Sequence, residues 1–237
     1  MPGDRPEMPA AVLFDLDGVL VESEGVIALV WQRALADAGL DVTLPEIAEH
    51  FTGQPFGGVM DYLHGQHGFT PPPGFLDLLE DRFNAAMSEV VAIEGAAQTL
   101  QALRDAGRPF AVASNSERER LHLKLRVTGL ADLVGEHAYD PSWVGGRAKP
   151  LPDLYAFAAG RLGVEAAHCL VIEDSVVGGR AGLGAGAELW GLLAEGHPHP
   201  AGAAALQHLG ASRILRSHDE LRRALAERGL LPPDTET

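Results

Sequence analysis

Short apolar runs that stop at polar turns alternate along this chain with longer stretches of helical period. Residues 10–15, AAVLFD, end at an acidic turn containing Gly18, the pattern of a buried parallel strand. Similar runs recur at 109–113 (PFAVA) and 169–173 (CLVIE), and a weaker one at 187–193 (AELWGLL). Helical patterns fall between them, at 95–107, 117–128 and 152–163. In the first of these Ala97, Leu100, Leu103 and Ala106 share a face, and Gly107 stops the helix. Alternation of strand and helix predicts an α/β fold with a doubly wound parallel sheet.

One interval breaks this rhythm. Between Glu22 and Ala92 no strand-like run occurs, and the segment reads as helices at 24–38, 45–51 and 75–90 with a loop at 64–74 (HGQHGFTPPPG). The 69 residues from 23 to 91 are long enough for a small helical subdomain inserted after the first strand. The expected division is a core of residues 1–22 and 92–237 and an insert of residues 23–91.

Composition adds boundaries to this picture. A chain of 237 residues with 46% hydrophobic and 22% charged residues builds an ordinary core. One cysteine, Cys169, excludes an internal disulfide and suggests a reducing compartment, and its apolar surroundings read as packing rather than chemistry. The formal charge of −15 disfavours nucleic acid, which rewards basic proteins through counterion release. No apolar stretch of membrane-spanning length exists, and the polar, proline-rich MPGDRPEMPA lacks the apolar core of a signal peptide. The expectation is a cytoplasmic protein, monomer or small homo-oligomer, with a small-molecule partner and neither nucleic acid nor membrane.

Four polar clusters fall where the strand-like runs end, and ligands in open α/β sheets bind beyond those ends. Asp15-Leu16-Asp17-Gly18 sets two carboxylates at i and i+2, so that both can face one crevice while Gly18 turns the chain. One carboxylate suits nucleophilic attack and the other proton transfer, though a plain acidic turn has the same letters. Ser114-Asn115-Ser116 offers a hydroxyl and an amide to a phosphoryl oxygen, and Ser116 also reads as the N-cap of the following helix. Lys149, in the loop GGRAKPLPD of a chain with two lysines, is either a phosphoryl counter-charge or a solvated loop residue. Glu173-Asp174-Ser175 supplies hard oxygen ligands for magnesium, or a helix cap from Asp174 or Ser175.

Taken in order, DLDGVLVESE, ASNS, AKPLPD and IEDSVVGGRAG resemble the four motifs of the haloacid dehalogenase (HAD) superfamily over nearly the whole chain. The insert then resembles that superfamily's helical cap. The tail GLLAEGHPHPAGAAALQHLGASRIL is similar to the branch that includes 6-phosphogluconate phosphatase and other sugar-phosphate phosphatases. The resemblance implies a magnesium-dependent phosphatase of a small phosphorylated metabolite. Asp15 would be the nucleophile that becomes an aspartyl phosphate. Asp17 would be the acid and base, with its carbonyl on magnesium. Ser114, Asn115 and Lys149 would hold the phosphoryl group. Asp174 would bind the metal, supported by Glu173.

Departures from related chemistries narrow this further. Dehalogenases of the superfamily lack the second aspartate, which is present here as Asp17. Phosphonatases need a cap lysine, and residues 23–91 contain none. β-Phosphoglucomutases carry a histidine where Ile27 stands and a cap-loop arginine that aligns with Phe56, leaving a mutase-like phosphotransferase as the alternative. A non-catalytic binding protein on the same scaffold is the other. Many relatives read DSE or DTE where this chain has Glu22-Ser23-Glu24, a departure placed at the hinge between core and insert. Phe56 is the expected cleft-facing cap residue, while Trp31, Phe51 and Tyr62 read equally as insert core or cleft lining. Two patterns read as decoys. Gly182-x-Gly184-x-x-Ala187 does not directly follow a strand as a dinucleotide fingerprint must, and His197-Pro198-His199-Pro200 reads as a loop.

Overall fold

The structure is a computed structural model, in which residues 8–51, 54, 56–194 and 202–233 are described. In chain order the strands are β1 (Ala11–Phe14), β2 (Val21–Glu22), β3 (Val91–Ala92), β4 (Phe110–Ala113), β5 (Ala138–Tyr139), β6 (Cys169–Glu173), β7 (Glu188–Leu192) and β8 (Arg213–Leu215). Helices α1 (Glu24–Asp37), α2 (Leu44–His50), α3 (Phe56–His67) and α4 (Phe75–Ala86) lie between β2 and β3. The rest are α5 (Ala96–Asp105), α6 (Arg118–Val127), α7 (Ala131–Val134), α8 (Asp153–Arg161), α9 (Val176–Gly184), α10 (Gly202–Leu209) and α11 (His218–Glu227).

Six strands form one parallel sheet in the order β5-β4-β1-β6-β7-β8. All four residues of β1 are buried, because helices cover both faces of the sheet. Successive side chains alternate between those faces. Val12 and Phe14 join one apolar cluster with Leu100, Leu121 and Leu225, while Ala11 and Leu13 join another with Leu154, Ala158 and Leu189. The four apolar runs of the sequence are β1, β4, β6 and β7. The edge strands β5 and β8, two and three residues long, are too short to stand out as apolar runs.

Between Glu22 and Ala92 the structure corrects the reading in three respects. The insert is bounded by an antiparallel pair, Val21 with Ala92 and Glu22 with Val91. The apolar pattern expected to run as one helix to residue 90 ends at Ala86, and Met87–Glu89 form a 3-10 turn. Helix α3 was not anticipated and extends to His67, so the connecting loop is shorter than 64–74. Its glycines 57, 58 and 65 mask the helical period in the sequence.

The four insert helices enclose an apolar cluster of their own, including Trp31, Leu35, Ile47, Phe51, Leu63, Phe75 and Leu79. Trp31 and Phe51 are therefore insert core. Phe56 stacks on Trp31 with ring centroids 5.9 Å apart, yet remains 49% exposed. No helix among the described residues is long and apolar enough to cross a membrane.

Candidate active site

The topology sets β1 between β4 and β6, so the C-terminal ends of three neighbouring strands lie side by side, ~4.8 Å apart per step. Asp15 follows β1, Ser114 follows β4, and Glu173 closes β6 with Asp174 next. Ladder bonds fix the exits: the Asp15 amide donates to the Ile172 carbonyl at 3.0 Å, and the Ser114 amide to the Tyr139 carbonyl at 3.0 Å.

Lys149 enters from the loop before α8, and Asn115 locks it in place. The Asn115 Nδ2 donates to the Lys149 carbonyl (3.1 Å), and the Lys149 amide donates to Asn115 Oδ1 (2.9 Å). The Asn115 side chain is thereby committed to the Lys149 backbone. Lys149 Nζ donates to Asp15 Oδ1 (2.6 Å), Glu173 Oε1 (2.7 Å) and the Tyr155 hydroxyl (2.8 Å). It is buried, not a solvated loop lysine. Burial would lower its pKa, but the charges of Asp15 and Glu173 outweigh this and raise it. Tyr155 passes the contact on, donating to Glu173 Oε1 at 2.8 Å. Glu173 Oε2 accepts from the Ser175 amide and hydroxyl, at 3.3 and 3.0 Å. Both Glu173 oxygens are thus occupied by the protein.

Asp17 sits in a second cradle. Its Oδ1 accepts from Ser23 Oγ and Lys124 Nζ, each at 2.5 Å. Its Oδ2 accepts from Ser116 Oγ at 3.0 Å and more loosely from Ser114 Oγ at 3.4 Å. Burial works to raise the Asp17 pKa, but the Lys124 charge and the hydrogen bonds from Lys124, Ser23 and Ser116 outweigh it and hold it below the usual carboxylate value. Asp15 moves the other way. Its burial, reinforced by Glu173, Asp174 and Asp17, exceeds the relief from Lys149 and raises its pKa well above the ordinary value. Asp174 is raised likewise, first by burial and then by Glu173.

Ser116 is not the cap that its sequence suggests. Its hydroxyl is spent on Asp17, its amide donates to Ser114 Oγ (3.0 Å), and α6 starts after Glu117 without a side-chain cap. Ser175 does cap α9, accepting from the Gly178 amide at 3.1 Å. Glu22 reaches the hinge helix, accepting from the Gly25 amide at 3.0 Å. The glycine run read as a decoy lies within α9 rather than at a strand-to-helix turn. The His197–Pro200 segment lies outside the described residues. Lys124 and Tyr155 were missed in the sequence.

Carboxylate oxygens of Asp15, Glu173 and Asp174 lie within 4.8 Å of one another, a cluster of hard donors of the kind magnesium prefers. Gly18 permits the close approach of this cluster: at φ +77° it carries no Cβ, and one there would lie 2.0 Å from Asp174 Oδ2.

A buried carboxylate beside a lysine, with a second carboxylate two residues on and a cluster of carboxylate oxygens, thus lies at the C-terminal mouth of an α/β sheet, where such folds bind their ligands. Residues 9–186 match the haloacid dehalogenase-like hydrolase family, and the chain belongs to it. A crystal structure of a HAD family hydrolase from Deinococcus radiodurans R1, with bound phosphate and sodium, is 70% identical and superposes with a TM-score of 0.89, covering 95% of this chain and 99% of that one. The 6-phosphogluconate phosphatase of Escherichia coli K12 is 27% identical over 192 residues, 80% of this chain and 85% of the relative. Hexitol phosphatase A of the same organism is 27% identical over 186 residues, 73% and 78% of the two chains.

Proposed function

We propose that the protein is a magnesium-dependent phosphatase that hydrolyses a small phosphorylated metabolite, a sugar phosphate in the first instance, through an aspartyl phosphate on Asp15. The observation that carries this reading is the pairing of Asp15 with Lys149 beside a second aspartate held by its own lysine. A dehalogenase needs no proton for its leaving halide, whereas an alkoxide leaving group does. The phosphatase names of the relatives support the same chemistry.

Asp15 attacks phosphorus and displaces the alcohol, whose oxygen takes a proton from Asp17. Asp17 then removes a proton from water, which attacks phosphorus and releases phosphate with Asp15 restored. The ionised Asp17 favoured by its cradle is the form that the second step requires, and for the first step Asp17 must first take up the proton it donates, as one brought in on a singly ionised phosphate monoester. Ser114 Oγ, the main-chain amide of Asn115 and Lys149 would hold the phosphoryl oxygens. Magnesium would be held by Asp15, Asp174 and the Asp17 carbonyl, with Glu173 orienting Lys149. When bound, it offsets repulsion between the carboxylates and the phosphoryl group. Residues 23–91 would act as a cap that excludes water and bulky substrates.

The test is turnover of p-nitrophenyl phosphate with and without magnesium, followed by a panel of sugar phosphates, nucleotides and phosphopeptides. The reading expects magnesium-dependent release of phosphate, fastest with a sugar phosphate. A nucleotide or phosphopeptide preferred about tenfold in kcat/KM, roughly 1.4 kcal/mol in the transition state, would overturn the substrate class.

A further inference from the structure

Only two of the chain's 18 basic residues are lysines, and both end in this one acidic cluster. They divide it between them. Lys149 serves Asp15 and Glu173, whereas Lys124 serves Asp17. Lys124 lies on the buried face of α6 with Leu121 and Leu125, where the helical period calls for an apolar residue. A lysine at such a position is unfavourable unless its ammonium is paired and hydrogen-bonded. Its stem crosses the core, and Nζ reaches Asp17 Oδ1 at 2.5 Å and Ser116 Oγ at 3.0 Å. Ser116 Oγ in turn donates to the other Asp17 oxygen at 3.0 Å. Lys124 therefore braces both oxygens of one carboxylate, one directly and one through Ser116. Arginine would not substitute, because its planar fork spreads the charge that a compact ammonium delivers at one point.

We propose that Lys124 is a positioning residue for Asp17. It fixes the carboxylate at the edge of the phosphoryl pocket, in the orientation from which it exchanges protons with the leaving group and with water. This rests on the role of Asp17 in the phosphatase reading above. Lys124 touches no reacting atom in this scheme and acts only through Asp17. Its loss should resemble a displaced Asp17, and misplacement of a catalytic group by ~1 Å lowers turnover about 10²-fold.

The experiment is a double-mutant cycle of Lys124→Met and Asp17→Asn, measured on glycerol 2-phosphate, whose alkoxide needs a proton, and on p-nitrophenyl phosphate, whose phenolate does not. Lys124→Met should lower kcat on glycerol 2-phosphate about 10²-fold, with far less effect on the aryl ester and little change in KM. In the Asp17→Asn background it should add nothing on either substrate. Lys124→Gln, which keeps an uncharged donor one bond shorter than the lysine, should recover part of the loss seen with methionine. Multiplicative losses in the double variant, equal losses on both esters, or a change confined to KM would overturn the proposal. So would failure of both Lys124 variants to fold by circular dichroism, since the pair would then be a folding element. If Asp17→Asn itself does not discriminate between the esters, the reading of Asp17 fails first and this inference with it.

Discussion

A β-carbon at position 178 would lie 1.6 Å from Glu173 Oε1. The carboxylate that orients Lys149 is packed directly against the first turn of α9, and only a glycine leaves room for it. That position also places its negative charge at the helix N-terminus, where the peptide dipoles favour it. Gly178→Ala must displace either the helix or the carboxylate. Overpacking of this kind destabilises by about 1–3 kcal/mol. The expected outcome is a lowered Tm together with a loss of turnover larger than that stability change explains, because Lys149 loses its support. Wild-type kcat with an unchanged Tm would contradict the tight packing.

Asp15→Asn should abolish turnover and leave the fold in place. An amide cannot form the acyl phosphate, while its oxygen still accepts from Lys149 Nζ, now at 2.6 Å from Asp15 Oδ1. The measurement is phosphate release alongside far-UV circular dichroism. Turnover within tenfold of wild type would remove Asp15 from the nucleophile's role.

The strand exits were legible because each carries its own signal. An apolar run of four or five residues followed by an acid or a serine is visible in one dimension, and parallel pairing brings three of them together. Lys149 was legible as a rare lysine in a loop, although its burial was not. Lys124 and Tyr155 reach the site from helices, through side chains that cross the core, so no local motif announces them. One signal was available for Lys124: it falls three residues after Leu121 and directly before Leu125, on the apolar stripe. Ser116 was misread as a cap because serine before ERERL fits a capping rule, and the competing acceptor, Asp17, lies 99 residues away in sequence. Edge strands β5 and β8 are too short for periodicity to register, and the ribbon of β2 and β3 is visible only when both halves are seen together.

His218 provides an acid-sensitive element away from the site. It is fully buried, with Nε2 donating to the Val19 carbonyl at 2.8 Å and Nδ1 lying 3.0 Å from the Thr99 hydroxyl. Burial lowers its pKa to about 4, against the Val19 contact. The unfolded chain, near 6.5, binds the proton more readily, so stability is full above about pH 6.5 and falls as pH drops toward 4. The contribution is roughly 3 kcal/mol from a shift of this size. His218→Gln should flatten the dependence of Tm on pH between 6.5 and 4. An unchanged slope would assign the acid sensitivity elsewhere.

Magnesium should affect the fold as well as the reaction. Asp15, Glu173 and Asp174 bring carboxylate oxygens within 4.8 Å of one another, and the one lysine beside them, Lys149, offsets only part of that charge. Burial and this mutual repulsion raise the pKa values of Asp15 and Asp174 well above those of an unfolded chain. The sign follows: in the metal-free protein the two groups oppose folding increasingly as pH rises above their unfolded values, because the folded state resists losing those protons. A divalent cation that binds the folded cluster reverses this by mass action. Since protons and metal compete for the same oxygens, its stabilisation should grow with pH. Three outcomes are expected together. Chelation silences turnover, and added magnesium restores it. Magnesium raises Tm more at pH 8 than at pH 5. Asp174→Asn, which removes one hard ligand, loses most of that Tm increase. Differential scanning fluorimetry with magnesium as the only variable reads the last two without reference to activity. Full turnover after exhaustive chelation, or restoration by zinc alone, would overturn the magnesium assignment, and an equal Tm increase in Asp174→Asn would move the metal away from this cluster.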